Sequence, residues 1–204
     1  MSGAITRPVV TLFETYGSGA TAIGRAVADA LGVPFIGQAY SSEDLEVAEQ
    51  GRTQDGLLAR ALGTLGRSVA SADGGIFSGS ALAKDAVDNI RAVREYVSDG
   101  GVILGRNATV ILGDLRTALH VKLDGPLEQR IARGAAEAGI DPGQAKARQS
   151  REDRVRAELS LRLHNWDPRT NDRFDLVVNT GTIPTALAVD MIVADYHIKA
   201  AGAR

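Results

Sequence analysis

Residues 9–24 read VVTLFETYGSGATAIG, and this stretch decides the fold. A β-branched, apolar run is followed at once by a glycine turn, and apolar residues then recur at helical spacing from Ile23 to Leu31. This order is typical of a strand, a tight loop and a helix. Gly17 and Gly19 let the backbone approach a ligand closely, and unpaired amides at the start of a helix attract anions. The stretch therefore predicts a phosphate site rather than a plain turn.

Two motifs compete for this loop. In the P-loop pattern G-x-x-x-x-G-K-[ST], Gly19 fits the second glycine and Thr21 the hydroxyl that binds Mg²⁺. Glu14 replaces the first glycine, however, and Ala20 replaces the lysine. The dinucleotide pattern G-x-G-x-x-G/A fits the glycines, but it requires an acidic residue about twenty positions further on, which is missing here. We therefore favour a phosphate donor. The candidate contacts are Gly17, Ser18, Gly19, Ala20, Thr21 and Ala22, with Thr21 as the metal ligand.

Composition indicates a globular protein. A chain of 204 residues with 44% hydrophobic and 24% charged residues predicts a single domain over residues 1–204. No apolar run is long enough to span a bilayer and no signal peptide is visible, so we expect a cytoplasmic location without a membrane partner. The absence of cysteine excludes disulfides and thiolate catalysis, and the three histidines lack ligand spacing. A net charge of -2 argues against a nucleic-acid partner.

The remaining pattern predicts an α/β fold, a three-layer parallel sheet of about five strands with helices on both faces. Apolar runs at 33–36, 102–104, 119–123 and 174–179 predict the strands after the first. A long helical segment, residues 41–97, is interpreted as an inserted lobe that binds the acceptor. Its apolar stripe from Leu57 to Val69 is typical of a helix. The predicted inward positions of its last helix are Val87, Ile90, Val93 and Val97. The final helix of the chain should carry Leu187, Met191, Ala194 and Ile198 on one face.

Basic residues occur in two further places. Arg106 and Asn107 follow the apolar run 102–104, and ligands of open α/β sheets bind beyond the carboxyl ends of strands. Arg106 could therefore hold a phosphate, although an exposed arginine that only ends a strand is an equally good interpretation. Residues 140–165 form an arginine-rich helix after the Gly139–Pro142 break. Mixed charges on a helix usually face solvent.

Four segments, residues 16–25, 102–106, 126–131 and 166–180, together resemble the cytidylate kinase-like family of P-loop nucleoside monophosphate kinases. Their order and spacing extend over nearly the whole chain. The resemblance implies a kinase that transfers phosphate from ATP, with Mg²⁺, to CMP, dCMP or a related small acceptor. It implies that Arg106 binds the acceptor and that residues 140–165 form a lid. Counted back from Trp166, Arg154 and Arg156 match the lid arginines of the family, and Arg148 and Arg151 match less well.

The chain also departs from this family. Ala20 removes the lysine of the loop, Gly37 replaces an aspartate near the metal and acceptor, and Asn107 replaces an aspartate that helps recognise the base. Two alternatives therefore stay open: a nucleotide-binding regulatory module with lost or impaired transfer, and a kinase for another small hydroxyl or phosphate acceptor. It is also open whether Lys122 compensates for Ala20. A homodimer is compatible with the sequence.

Overall fold

A computed structural model describes residues 7–50 and 79–203, with side chains for 7–46 and 86–203. The described residues contain one five-stranded sheet in the order β2-β3-β1-β4-β5, in which all neighbours are parallel. The predicted α/β fold is confirmed. The strands are β1 (Val9–Glu14), β2 (Phe35–Ile36), β3 (Gly101–Leu104), β4 (Leu119–Asp124) and β5 (Leu176–Asn179). The helices are α1 (Ala20–Leu31), α2 (Ser42–Gln50), α3 (Gly79–Tyr96), α4 (Ala108–Ile111), α5 (Leu127–Ala138), α6 (Pro142–His164) and α7 (Thr185–Gly202).

The sheet is buried on both faces because parallel strands need crossover connections, which place helices on either side. Val10 and Leu12 of β1 face α1 and α7, whereas Val9 and Ile103 face α3 and α4. Side chains of a strand alternate between faces, so the uninterrupted apolar runs seen in the sequence follow directly. The carboxyl ends of all the strands lie at one edge of the sheet, where the loops that follow β1, β2, β3 and β4 come together.

Helix orientation differs from the sequence prediction in α3 and α7. Val93 of α3 and Val97, directly after this helix, are buried as expected, but Val87 is 54% exposed and Ile90 36% exposed. The prediction was wrong for these two because Asn89 and Val93, four positions apart, define the buried face among the described side chains of α3, and Val87 and Ile90 lie beside that face. The stripe from Leu57 to Val69 lies outside the described residues.

In α7 the buried positions are Ala188, Ile192 and Tyr196, whereas Leu187 and Ile198 are exposed. The apolar residues of α7 lie on more than one side of the helix, so their periodicity alone could not identify the buried face. In the described part of the chain, no helix is long and apolar enough to cross a bilayer.

Buried polar side chains form a hydrogen-bonded series that links α4, β1 and β4. Thr11 Oγ1 lies 2.8 Å from His120 Nδ1 and 3.1 Å from Thr109 Oγ1. The backbone N–H of His120 donates to Asp175 Oδ2 at 2.8 Å. Burial lowers the pKa of His120 to about 4, with a further decrease caused by Lys199, and Asp175 opposes this shift. His120 is therefore neutral in the fold at neutral pH.

This burial predicts acid sensitivity. The pKa of His120 is lower in the folded chain than the ordinary value of 6.5. The unfolded chain therefore binds more protons below that pH, and stability falls as the pH decreases from about 6.5 to about 4. The full loss from this residue is about 3 kcal/mol. Urea unfolding of the wild type and of His120→Gln should show a stability difference that shrinks or reverses in acid. Replacement of the exposed His197 by Gln is the control, and a His120→Gln difference that is independent of pH would contradict the assignment.

Candidate active site

The loop between β1 and α1 has a geometry that glycine makes possible. Gly17 and Gly19 have φ angles of 73° and 76°. A Cβ atom at Gly17 would lie 2.0 Å from the carbonyl oxygen of Arg130, so the loop lies directly against α5. Gly19 forms the start of α1 without a side-chain hydrogen bond. The first-turn amides of α1 therefore keep donors that have no acceptor within the helix.

The hydroxyls of this loop differ in their surroundings. Ser18 is fully buried, and its Oγ has no hydrogen-bond partner among the described residues. Thr21 is exposed at the second position of α1, directly after the buried Ala20. A buried hydroxyl without a partner beside uncapped amides fits a bound phosphate. The described residues contain no group of three metal-binding side chains. Mg²⁺ would fit here in the way it usually binds, with donor phosphates and few protein oxygens, among them Thr21.

Two arginines of α5 fasten this loop. Arg133 donates from NH1 to the carbonyl of Gly17 at 2.9 Å and from NH2 to the carbonyl of Thr180 at 2.6 Å. Arg130, which is buried, donates to the carbonyl of Tyr16 at 2.9 Å. Sequence reasoning assigned no role to either residue, because arginines three positions apart on a helix look like a solvated face. Their positive charge lies beside the loop that lacks a lysine at Ala20.

Asp153 connects α6, which the resemblance implies is a lid and which is called the lid helix below, to the same loop. Its Oδ1 accepts the backbone N–H of Tyr16 at 2.7 Å. Its Oδ2 accepts from Arg130 NH1 at 3.1 Å and from Gln149 Nε2 at 2.8 Å. A charged acceptor on a backbone amide is a strong hydrogen bond. The lid helix is therefore docked on the loop.

Arg156 is a buried arginine of α6. Its NH2 donates to Glu14 Oε1 at 3.0 Å and to Glu152 Oε2 at 2.8 Å, and its NH1 lies 3.5 Å from Asp153 Oδ1. Burial by itself lowers the pKa of Arg156, but the surrounding acidic groups, Glu14 foremost, outweigh it and raise this pKa. The expectation of a solvated face was wrong for this side of α6, because α6 packs against the sheet edge.

The other candidate lid arginines lie in two places. Arg154 is exposed and lines a cavity of about 590 Å³ together with Thr15 and Asp124. Arg148 Nε donates to Glu46 on α2 at 2.7 Å, and Arg151 NH1 lies 3.4 Å from the same carboxylate. The structure thus brings Arg154 and Arg156 to the carboxyl edge of the sheet and pairs the other two with α2.

The chain leaves β3 through a strained turn. Gly105, Arg106 and Asn107 all have positive φ angles, of 72°, 56° and 57°. Such a backbone costs on the order of 1 kcal/mol at each residue other than glycine and persists only when neighbours hold it. Asn89 Nδ2 donates to the carbonyl of Arg106 at 3.0 Å, and Ser160 Oγ donates to Asn107 Oδ1 at 2.6 Å. Asn107 is therefore held against the lid helix.

Arg106 reaches across to the end of β2. Its Nε donates to the carbonyl of Gly37 at 2.9 Å, and its NH2 donates to the carbonyl of Gln38 at 3.3 Å. The guanidinium also lies 5.4 Å from the ring centre of Tyr96. Arg106 therefore lies between the residues that lead into the predicted acceptor lobe, 41–97, and Tyr96 at the end of that lobe.

Lys122 does not replace the missing loop lysine. Its ammonium donates to the carbonyls of Pro168 and Arg169 at 3.2 and 3.3 Å and to Asn171 Oδ1 at 3.2 Å. An ammonium group has three donors, and these contacts use them. Lys122 holds the 167–172 connection in place.

Parallel strands in this order, with a glycine loop opening into α1 and arginines above it, define the class of P-loop, kinase-like phosphotransferases. Residues 9–182 match the sequence model of the cytidylate kinase-like family. This chain belongs to that family.

Solved structures with the same fold include an uncharacterized protein from Eubacterium ventriosum and a gluconokinase from Sinorhizobium meliloti. The first has a TM-score of 0.66 at 18% identity and covers 93% of this chain and 98% of its own. The second has a TM-score of 0.53 at 18% identity and covers 97% and 95%. At such identities the likeness shows the fold alone.

A curated relative, a uronate isomerase from Corynebacterium glutamicum, is 38% identical over 120 residues, which are 59% of this chain and 23% of the isomerase. The chain therefore matches about a quarter of that relative's length.

The close approach at Gly17 predicts a stability difference between two glycines. Gly17 and Gly32 both have positive φ angles, but a Cβ at Gly32 would meet nothing within 4 Å. Gly32→Ala should cost only backbone strain, about 1 kcal/mol. Gly17→Ala should cost about 2 kcal/mol more because the Arg130 carbonyl must move. Chemical unfolding of both variants measures the difference, and equal losses would show that the loop does not lie on α5.

Proposed function

We propose that this chain is an ATP-dependent phosphotransferase, with the donor phosphates at the amides of Gly17–Ala22 and a small acceptor beside Arg106. The observation that carries the proposal is the uncapped loop, whose buried Ser18 hydroxyl has no hydrogen-bond partner in the described part of the chain. Above it lies the lid helix, which brings Arg154 and Arg156 to the same edge of the sheet. Loop, lid and acceptor side meet where ligands of open α/β sheets bind.

Phosphoryl transfer depends on alignment and on neutralisation of charge rather than on covalent work by the protein. Mg²⁺, when bound with ATP, would neutralise the phosphate oxygens. The loop amides would bind the donor, and Arg130 and Arg133 would keep the loop in shape. Arg154 would add positive charge from the cavity side, and the docked lid helix would exclude water.

CMP and dCMP are the first acceptors to test, because the resemblance to cytidylate kinases implies them. The cytoplasmic location that the sequence predicts would supply ATP together with Mg²⁺.

A second candidate is a nucleotide-binding regulatory module without efficient transfer. Two observations favour it. The Asp153 carboxylate already accepts the backbone N–H of Tyr16 in the loop, and Ala20 supplies no positive charge. Binding of MgATP without turnover on any acceptor would support the module over the enzyme.

A coupled assay with MgATP should show turnover on at least one small acceptor, and Arg154→Ala should lower kcat roughly tenfold or more at unchanged stability. Arg154 is exposed, so its loss leaves no buried charge unpaired. Lys146→Ala is the matched control, because Lys146 is an exposed cation on the same helix. If both variants retain wild-type kcat, Arg154 belongs to a solvated face and its catalytic assignment fails.

A further inference from the structure

Glu14, the residue that breaks the P-loop pattern, is a buried carboxylate at the end of β1. Its Oε1 accepts from Gln38 Nε2 at 2.8 Å and from Arg156 NH2 at 3.0 Å. The Gln38 side chain crosses over Gly105, where a Cβ would lie 2.0 Å from its Oε1. Glycine in such a place marks a close approach by another group. The end of β3 is therefore shaped to let Gln38 reach Glu14.

This carboxylate lines a cavity on the acceptor side of the sheet. The cavity has a volume of about 20 Å³ and is shared with Tyr40, Arg106 and Asn107. A space of this size holds one water-sized group. Arg156 also lines it, and the buried Nε and NH1 of Arg156 lack hydrogen-bond partners among the described residues. Both hydrogen bonds that described residues donate to Glu14 end on Oε1. An acceptor oxygen, Oε2 of Glu14, is thus present together with N–H donors of Arg156 that form no hydrogen bond with the described residues.

A hydroxyl group matches this arrangement. It donates one hydrogen bond and accepts others, so it could donate to Glu14 and accept from Arg156. A phosphate oxygen only accepts, and it would face the Glu14 carboxylate as a like charge.

The local charge leads to the same conclusion. Around this cavity, Arg156 lies within ion-pair distance of three acids, and Arg106 donates to backbone carbonyls. These acids are Glu14, Glu152 and Asp153. A dianionic acceptor would find no excess of positive charge there, whereas an alcohol needs none.

We propose that the acceptor oxygen is an alcohol hydroxyl of a small polyhydroxy compound such as a sugar or nucleoside, and that Glu14 is the general base that takes its proton. The inference rests on the proposed function and departs from the CMP acceptor that the resemblance implies. The hydroxyl oxygen forms a bond to the γ-phosphorus of ATP, and its proton passes to Glu14. The bond between the γ-phosphorus and the bridging oxygen breaks, and its electron pair leaves with ADP.

The position of Glu14 also explains how the site can have glycine instead of an acidic residue at position 37. The family has an aspartate after β2, and this chain has glycine there. The structure supplies a carboxylate from β1 instead, and Gln38, the next residue after Gly37, binds it. Burial raises the pKa of Glu14 more than Arg156 and Gln38 lower it. A carboxylate with a raised pKa is a stronger base.

The acceptor class is tested with pairs that differ by one phosphate: cytidine against CMP, and gluconate against 6-phosphogluconate. ³¹P NMR of each product distinguishes a phosphate ester, formed on an alcohol, from an anhydride, whose neighbouring phosphorus atoms are coupled. We expect ester products from the unphosphorylated members. Anhydride formation on CMP as the fastest reaction would overturn the inference while leaving the proposed kinase function intact. Failure to bind MgATP at all would instead reject the proposed function.

The role of Glu14 is tested by Glu14→Gln, which keeps its shape. On the best acceptor, or on water if none in the panel reacts, kcat should fall roughly 10²- to 10⁴-fold. The KM for MgATP should be unchanged, and the decrease of rate in acid should disappear. Glu95→Gln, an exposed carboxylate on α3, should behave like the wild type.

Gln38→Ala keeps Glu14 and removes a hydrogen bond that lowers its pKa, so the acid limb of its rate profile should move to higher pH. This variant keeps the test decisive if Glu14→Gln fails to fold. A wild-type kcat in Glu14→Gln, an unshifted limb in Gln38→Ala, or ATP bound without transfer to any acceptor or to water would each overturn the role of Glu14.

Discussion

The carboxylate of Asp153 joins the loop after β1 to α5 and α6. One of its oxygens accepts the N–H of Tyr16 in the loop after β1, and the other accepts from Arg130 of α5. Because Asp153 lies on α6, these two bonds fix the lid helix on the loop. Arg156, one turn further along α6, is thereby brought to Glu14 at the end of β1. Removing one partner of such a buried ionic network typically costs about 3 to 5 kcal/mol, because the others are left without compensation.

The strained backbone and the buried polar atoms without partners lie at the same edge of the sheet in the described part of the chain. Arg106 and Asn107 adopt left-handed backbone conformations, and Ser18 and Arg156 keep buried polar atoms without partners among the described residues. Strain and unsatisfied groups of this kind are expected where a ligand completes the structure. The apolar core, by contrast, lies between the sheet and its helices and follows ordinary packing rules. The apolar packing therefore lies away from the strained edge of the sheet, which is the part that we expect a ligand to complete.

Much of the fold could be predicted from local pattern. The apolar run from Val9, the glycines after it and the helical spacing that follows predicted β1, the loop and α1, since each depends on neighbours in sequence. The buried face of α7 could not be predicted, because both Leu187 and Ile192 belong to plausible apolar stripes. Only the position of α1 and β4 decides between them.

The site was partly predictable for a related reason. Gly17 and Gly19 reveal the loop because their positive φ angles restrict their identity. The contact between Asp153 and Tyr16 joins residues 137 positions apart, and no local pattern encodes it. Glu14 looked like a defect in the P-loop motif, and only its placement against Gln38 and Arg156 shows what it contacts.

Hydrogen exchange with and without MgATP tests most directly whether the loop and lid form one donor site. We predict that saturating MgATP slows exchange of the amides of Gly17–Ala22 and of the facing stretch of α6 around Asp153, while exchange in the distal half of α3 does not change. Protection elsewhere, with the amides of the loop exchanging at the same rate as in the free protein, would contradict the account.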